Sequence, residues 1–246
     1  MANESRWQKR LALLMVLISV FLYWVHFLLF HDAHLIQEHL ILELAFLPIH
    51  ILFVVLVVDQ LLARREKLSR LQKMNMVIGT FFGEVGTPLL RMLSPLVTDP
   101  TVLRELNQVK KWSDEEFAAS RARVAAADLS FHLDGEQLQR LKDFVLDKRD
   151  FLLRLLENPV LLEHETFTDV LWAIFHIIEE LRFRQSLHDL RPGDRQHLDT
   201  DVTRAYAPLL TEWLHYMQHL RQRYPFLFSL EMRTNPFDPD ARVEVE

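Results

Sequence analysis

Residues 11–30 read LALLMVLISVFLYWVHFLLF, and only Ser19 and His26 in this run carry strongly polar side chains. A helix of about 20 apolar residues is long enough to cross the roughly 30 Å hydrocarbon core of a bilayer. The run is longer than the apolar region of a typical signal peptide, and no A-x-A-like cleavage motif follows it. We therefore predict an uncleaved transmembrane helix here.

A second apolar run covers residues 40–62, and its uncharged centre extends from Leu44 to Val58. Glu43 and Asp59 bound this centre, and carboxylates at such positions lie near the membrane interfaces or inside a helix contact. We predict a second transmembrane helix, joined to the first by an extracytoplasmic turn at residues 31–39. The polar residues of the membrane region are then His26, Glu43, His50 and Asp59.

Lysine and arginine flank the two apolar runs and are absent from the turn between them. The basic residues before the first run and after the second are Arg6, Lys9, Arg10, Arg64, Arg65, Lys67, Arg70 and Lys73. Short loops rich in these residues stay in the cytoplasm. We therefore expect a multi-pass protein of the cell membrane, with the lipid bilayer as its partner and both termini in the cytoplasm.

Composition restricts the classes of function. The 246 residues carry a net charge of −6, which argues against a nucleic-acid partner. Cysteine is absent, so disulfides, thiolate catalysis and cysteine-bound zinc are excluded. The five glycines form neither a G-x-G-x-x-G nor a G-x-x-x-x-G-K motif, which argues against the two nucleotide-binding classes that use them. The only cofactor left open is a divalent metal.

The rest of the chain predicts helices and no convincing strand. Two capping-box patterns, Ser113 with Glu116 and Asp134 with Gln137, mark helix starts. The fold class that follows is an all-α membrane protein, in which a two-span transmembrane hairpin precedes a cytoplasmic bundle of about four helices. Its segments are a cytoplasmic N-terminus at 1–10, the hairpin at 11–63, a juxtamembrane helix at 64–93, the bundle at 94–233, with long helices at about 164–190 and 201–224, and a poorly ordered acidic tail at 234–246.

The juxtamembrane segment repeats apolar residues at coiled-coil spacing. The seam consists of Leu68, Leu71, Asn75, Ile78, Phe82, Val85, Leu89 and Met92. If Leu68 is an a position, Asn75 is one too, and a single buried asparagine there fixes the register of a two-stranded coiled coil. Pairing between two copies of the chain and packing against the chain's own bundle both explain this seam.

Gly79, Gly83, Gly86 and Pro88 lie together in the same segment. Each glycine lowers helix stability by roughly 1 kcal/mol relative to alanine, and proline removes a backbone hydrogen bond. We expect a hinge or helix break here in the first place. Close approach of a second helix along the smooth face of Gly79 and Gly83 is the alternative.

The stretch from Phe82 to Leu89 resembles the phosphoacceptor box of sensor histidine kinases, which also lies on a helix just inside a membrane hairpin. The coinciding residues are Glu84, Thr87, Pro88 and Leu89. Gly83 occupies the position of that family's phosphorylated histidine, and nothing downstream resembles its ATP-binding domain. The resemblance therefore implies similar helical mechanics and no kinase activity.

The extracytoplasmic turn is rich in histidine. If the first helix continues past Phe30, then His31, His34 and Glu38 lie on one face and form a candidate metal site. The charge of the histidines also changes near pH 6.5, so a proton sensor is an equal hypothesis. A polar turn without a specific ligand is the simpler interpretation.

Polar groups within the second span support a further hypothesis. His50 follows Pro48 inside that run, and ionisable residues in a span face either a partner helix or a wet path. A subunit of an oligomeric channel or transporter is therefore an alternative function. Hydrogen bonding between helices explains the same residues without a pore.

Two further patterns concern metals in the bundle. Glu212, His215 and His219 share a helix face and contain one E-x-x-H element, whereas di-iron bundles need two. His188 and Asp189 resemble the central pair of HD-type metal phosphohydrolases, which are also all-helical. That resemblance implies a second histidine and a second aspartate, for which His164 or His176 and Asp199 or Asp201 are available. A metal-dependent phosphohydrolase is thus a second alternative function.

These features favour a membrane-anchored interaction or signalling module that acts as a homo-oligomer. The juxtamembrane helix would pair between chains, and the residues from Gly79 to Pro88 would relay changes in the hairpin to the bundle. The bundle would offer a surface to a protein partner. No complete catalytic constellation is present in the sequence, so enzyme activity stays open.

Overall fold

The computed structural model describes residues 2–30, 33–162 and 164–244. Regular structure in these residues is helical, and their β-type pairing is an isolated antiparallel bridge between Val97 and Phe131. The predicted all-α fold class is confirmed. The chain divides between Lys67 and Leu68 into two compact units, which we call unit 1 and unit 2.

Helix α1 covers Ala2–Phe30, and helix α2 covers Ala33–Phe81. Residues 33–39 of the predicted extracytoplasmic segment are therefore helical and belong to α2. Neither glycine nor proline lies between these residues and Pro48, so nothing in the sequence ends a helix there. The juxtamembrane segment is likewise no separate helix, since α2 continues without interruption past residue 64.

Apolar side chains in unit 1 are exposed rather than packed into a core. The largest exposed fractions belong to Leu29, Ile41 and Phe53, at 70%, 68% and 67%. Among the described residues, α2 is the helix long and apolar enough to cross a membrane, and Leu13–Leu29 is a shorter apolar helix.

Unit 2 begins with the end of α2 and contains more helices than the four predicted. A π-helical turn at Phe82–Gly86 leads into α3 (Thr87–Leu93) and a 3-10 turn (Ser94–Leu96), followed by α4 (Thr101–Glu105), a second 3-10 turn (Leu106–Lys111), α5 (Asp114–Ala126), α6 (Gly135–Asp147), α7 (Arg149–Leu156), α8 (Pro159–Leu162), α9 (Glu165–Arg182), α10 (Pro192–Arg223) and α11 (Pro225–Arg233). Pro192 begins α10, which therefore starts nine residues before the helix predicted at about 201–224. Proline is favoured in the first helical turn because the N–H it lacks has no partner there.

Both predicted capping boxes are confirmed. Ser113 Oγ accepts a hydrogen bond from the Glu116 backbone N–H at 3.3 Å and opens α5. Asp134 Oδ1 accepts one from the Gln137 backbone N–H at 2.8 Å and opens α6. These reciprocal bonds satisfy donors that the first turn of a helix leaves free.

Helix α10 is central to unit 2 and packs against α3, α5, α9 and α11. The second half of the predicted seam lies in this core, where Ile78, Phe82, Val85 and Leu89 are buried. Phe82 stacks on Tyr216 of α10 with ring centroids 4.9 Å apart. Residues 78–89 therefore pack against the chain's own bundle, which is the second of the two explanations given for the seam.

The chain stays helical between Gly79 and Pro88, where a hinge or helix break was expected. The helix changes its pitch there instead. In the π-helical turn the Thr87 backbone N–H bonds to the Phe82 carbonyl. The wider turn precedes Pro88, which lies in the first turn of α3, where a missing N–H is tolerated. The helix therefore accommodates the proline without opening.

The C-terminal segment is packed against unit 2, which contradicts the prediction of a poorly ordered tail for residues 234–241. The buried Asn235 side chain donates to the Leu106 carbonyl at 2.9 Å, and Arg91 donates to the Thr234 carbonyl at 2.6 Å. The Phe237 ring meets the Trp213 ring at a centroid distance of 5.0 Å. These specific contacts outweigh the acidic, proline-rich composition that led to the prediction.

Candidate functional site

Two polar residues of unit 1, Glu43 and His50, have identifiable neighbours within that unit. The Tyr23 hydroxyl of α1 donates to the Glu43 carboxylate of α2 at 3.0 Å. His50 lies one helical turn from Phe46, with ring centroids 5.6 Å apart. Glu43 therefore lies in a contact between α1 and α2. A helix contact is one of the two environments that the sequence predicts for this residue.

The candidate metal site at His31, His34 and Glu38 lies only partly within the residues that the structure describes. His31 and the side chain of His34 lie outside the described residues. His34 and Glu38 belong to the first two turns of α2, which begins at Ala33.

The beginning of unit 2 has an uncovered apolar strip on α2. Leu71 and Met76 are exposed there, and Asn75 between them is partly buried. A groove of about 500 Å³ borders this strip, and its lining consists of Lys73, Met76, Val77, Thr80, Leu155, Asn158 and Val160. In the first half of the predicted seam, Leu71 is thus accessible and Asn75 partly so, whereas Ile78, Phe82, Val85 and Leu89 are buried.

The glycines predicted as a hinge or contact face have three different environments. A Cβ atom on Gly79 would lie 3.4 Å from the Tyr216 hydroxyl, and one on Gly83 would meet no atom within 4 Å. A Cβ atom on Gly86 would lie 2.5 Å from Cδ1 of Phe82 and 2.9 Å from Cε1 of Phe81. Gly86 is therefore required for packing of the π-helical turn, and Gly83 contributes no close approach.

A cluster of ligating side chains forms where α9 packs against α10. His176 of α9 and His197 of α10 each place Nε2 3.2 Å from Oδ2 of Asp201, also in α10. We call these three residues the His–His–Asp cluster. In the described part of the chain it is the one group of at least three histidines or carboxylates whose ligand atoms lie close enough to share a metal ion.

The HD-type interpretation is corrected by this cluster. It includes His176 and Asp201, but its second histidine is His197, and the HD pair His188 and Asp189 does not take part. His188 lies in the segment after α9, and its Cα would be 2.7 Å from a Cβ atom on Gly135. The motif that suggested phosphohydrolase activity is therefore separate from the ligating side chains.

Asp199, the other aspartate considered for an HD-type site, has a structural role. Its Oδ1 accepts a hydrogen bond from the Leu133 backbone N–H at 3.0 Å, and its Oδ2 lies 3.7 Å from Nδ1 of His132. The carboxylate therefore fixes the segment before α6 against α10.

Glu212 forms a second polar cluster with Thr166 and His215. The Thr166 hydroxyl donates to Glu212 Oε1 at 2.7 Å, and His215 Nδ1 lies 3.5 Å from the same oxygen. Burial raises the pKa of Glu212, but the contacts from His215 and Thr166 outweigh it, and the net pKa is lowered.

The E-x-x-H element at Glu212 and His215 is not extended to a metal centre. In the described chain, no third histidine or carboxylate joins the pair at ligand distance. His219 lies apart, with its Nε2 atom buried and the ring next to Tyr224. Burial lowers the pKa of His219. The element thus serves the packing of α9 against α10.

The sequence did not predict the three residues of the His–His–Asp cluster as one site. Its histidines nevertheless each belong to a histidine–carboxylate pair with helical spacing. His176 and Glu180 are four residues apart in α9, and His197 and Asp201 are four residues apart in α10. Such pairs share a helix face. The sequence does not state that these two faces meet, and that information comes from the packing of α9 on α10.

Comparison with known proteins matches both parts of the chain. Residues 70–233 match the family model described as "Uncharacterized protein MJ1433, C-terminal helical domain", and residues 2–62 match "MJ1433, N-terminal helical domain". The chain is 38% identical over 237 residues to "Uncharacterized protein MJ1433" of Methanocaldococcus jannaschii, which covers 96% of this chain and 95% of the relative. No solved structure matches the chain.

Proposed function

The chain belongs to the MJ1433 family, in which an N-terminal and a C-terminal helical domain are distinguished, and from this division we propose a membrane-anchored interaction or signalling module that works as an oligomer. Residues 11–63 anchor it as a two-span hairpin in the cell membrane. Unit 2 is a cytoplasmic helical domain that receives a protein partner.

The exposed apolar surface of unit 1 is the observation that carries the anchor. Side chains such as those of Leu22, Phe27, Ile41, Leu52 and Phe53 are exposed along both helices. Contiguous apolar patches of this extent mark membrane or protein contacts. A bilayer would cover them and favours each leucine, isoleucine, phenylalanine or valine by about 0.3–0.6 kcal/mol at the centre of a span.

The polar groups of unit 1 support insertion as a pair of helices. Glu43 accepts a hydrogen bond from Tyr23 across the hairpin, so a carboxylate near the membrane has a partner. Helices that bond to each other in this way keep their polar groups out of the lipid. The basic residues on either side of the hairpin, with none in its turn, favour both termini in the cytoplasm.

The accessible strip of α2 supports the oligomer. Leu71 and Asn75 retain coiled-coil spacing, and Leu71 is 40% exposed. Pairing of this strip between two copies would bury its apolar side chains and place the two Asn75 amides opposite each other. The π-helical turn that follows is the element through which pairing would affect unit 2, since such turns are frequent at functional sites.

Oxidative cross-linking of single cysteines tests this proposal in the full-length protein in membranes, because the chain has no cysteine of its own. We expect dimer formation for Leu71→Cys and Asn75→Cys and none for the off-seam control Lys73→Cys. Ile78→Cys is a second control, since Ile78 is buried inside unit 2. Absence of dimer at every position would refute the oligomer, and equal dimer yield at Lys73 would show random collision instead of a seam.

A further inference from the structure

Two histidine–carboxylate pairs face each other across the contact between α9 and α10. His176 and Glu180 are four residues apart in α9, and His197 and Asp201 are four residues apart in α10. Residues at this spacing lie one helical turn apart on the same face. Packing of α9 on α10 brings the two faces together, so ligands from two rigid elements converge on one place.

The distances in the His–His–Asp cluster are those of atoms that share one ion. Both Nε2 atoms lie 3.2 Å from Oδ2 of Asp201. Ligand atoms at about 2.0–2.2 Å from a tetrahedral Zn²⁺ are roughly 3.3 Å from one another. The two Nε2–Oδ2 distances therefore fit one shared ion, and all three ligand atoms lie within 4.8 Å of one another.

Asp201 is the second observation that points to a ligand. Its side chain is only 1% exposed, and apart from the two imidazole Nε2 atoms at 3.2 Å its Oδ2 atom has no hydrogen-bond partner. The other oxygen, Oδ1, accepts a hydrogen bond from Arg204 at 3.0 Å. A buried carboxylate oxygen carries a desolvation cost, and a cation bound between Oδ2 and the two imidazoles would offset it.

The surroundings of the cluster resemble the support that metal ligands need. The side chains of His176 and His197 are about half exposed, at 46% and 52%, which leaves a route for an ion and room for a water ligand. Glu180 Oε2 lies 3.8 Å from Nε2 of His197. Arg184 donates a hydrogen bond to the same Glu180 oxygen at 2.6 Å. Because Nε2 is also the proposed metal-binding atom of His197, Glu180 lies beside the ligand set and does not orient that ring through its other nitrogen.

We propose that His176, His197 and Asp201 bind one divalent first-row transition-metal ion, with at least one coordination position left to water. Two imidazoles and one carboxylate suit Zn²⁺, Fe²⁺, Mn²⁺ or Co²⁺ and are a poor set for Ca²⁺, which prefers oxygen ligands. This site is independent of membrane anchoring and of the seam on α2. The competing explanation is an ion pair in which protonated histidines neutralise Asp201 and no metal binds.

Zn²⁺ titration of the full-length protein in detergent tests the proposal, with the protein produced without a polyhistidine tag and stripped with chelator. We expect one Zn²⁺ per chain in competition with a chromophoric chelator. His176→Gln and Asp201→Asn should each weaken binding at least about tenfold, because loss of an outer partner alone costs that much. His215→Gln is the matched control, since the His215 side chain is 47% exposed and also lies beside a buried carboxylate.

Two outcomes would overturn the metal site. One is a stoichiometry near zero in the wild-type protein, which would favour the ion pair. The other is equal loss of affinity in His176→Gln and His215→Gln, which would mean dispersed binding to surface histidines. Arg204→Gln provides a variant that keeps all three ligands, and we expect it to tighten Zn²⁺ binding because it removes a cation from Asp201. Thermal unfolding of each stripped variant checks that the fold is retained.

Discussion

Phe53 in unit 1 and Phe167 in unit 2 are the same residue type in opposite environments. The Phe53 side chain is 67% exposed, whereas Phe167 is fully buried and meets Phe81 edge to face at 5.0 Å. Unit 2 supplies a core for its apolar residues, and unit 1 leaves most of its apolar residues uncovered. Unit 2 therefore has a hydrophobic core of its own, and under the proposal above a bilayer would cover the exposed side chains of unit 1.

Truncation of these two phenylalanines should give the largest contrast. Phe167→Ala removes a ring from a close-packed core, and we expect it to lower the free energy of unfolding of unit 2 by about 3–5 kcal/mol. Phe53→Ala removes an exposed ring and should leave that free energy unchanged. Urea unfolding of both variants in detergent, followed by tryptophan fluorescence, measures the two values. Equal effects would break the comparison.

A charge placed in the middle of the second span should have the next largest effect. Ile51→Arg costs about 2.5–3.5 kcal/mol in a transmembrane helix, so insertion of the second span should fail in a larger fraction of chains, which the first span still anchors. Such chains would place unit 2 outside the cell. Leu230→Arg in α11 is the control, because Leu230 is exposed in unit 2 and far from either predicted span in sequence. Labelling of Ser186→Cys by a membrane-impermeant maleimide in intact cells measures this fraction in both variants. A labelled fraction no larger than that of the control would contradict a span at this position.

The π-helical turn offers a comparison within unit 2. Gly86→Ala places a Cβ atom against the rings of Phe81 and Phe82, and overpacking of this kind costs about 1–3 kcal/mol. Gly83→Ala meets no neighbour and should stabilise the protein by roughly 0.5–1 kcal/mol, because alanine favours the helix. Melting temperatures of the two variants test the sign of each effect. A stabilising Gly86→Ala would refute the packing described here.

The smallest expected effect is the change in the stability of unit 2 at acidic pH. Burial lowers the pKa of His219 below its ordinary value of 6.5, so the unfolded chain binds a proton more readily than the folded one. This difference in proton binding does not affect the free energy of unfolding above pH 6.5. It lowers that free energy as the pH falls from 6.5 towards the lowered pKa. Unit 2 should therefore unfold at a lower urea concentration at pH 5.5 than at pH 7.5. His219→Gln should flatten this dependence, and an unchanged slope would count against His219 as a source.

Local features of unit 2 were predictable from the sequence, because short-range chemistry determines them. Ser113 and Asp134 open helices through bonds to residues three positions away. Longer-range features were not predictable in this way. The spacing of Ile78, Phe82, Val85 and Leu89 defines a buried face but does not specify whether another copy or the same bundle covers it. Pro192 ends or begins a helix according to the register of its neighbours.

The candidate sites follow the same division. His197 and Asp201 are recognisable as an i, i+4 pair in the sequence. The contact of Asp201 with His176 depends on the relative position of α9 and α10 along their axes, and the sequence of neither helix alone determines that position. The HD-type resemblance at His188 and Asp189 did not identify the cluster. The ligating side chains come from two helices, α9 and α10, and neither His188 nor Asp189 is among them. Contacts between helices distant in sequence are decided by the complementarity of their whole surfaces.

Cysteine labelling in intact cells tests the two-span hairpin most directly, again because the natural chain has no cysteine. Gln37→Cys lies near the turn, and Ser186→Cys lies at an exposed position of unit 2. With a membrane-impermeant maleimide, the hairpin predicts labelling of Gln37→Cys in intact cells and of Ser186→Cys only after permeabilisation. Labelling of Ser186→Cys in intact cells, or of Gln37→Cys only after permeabilisation, would contradict it.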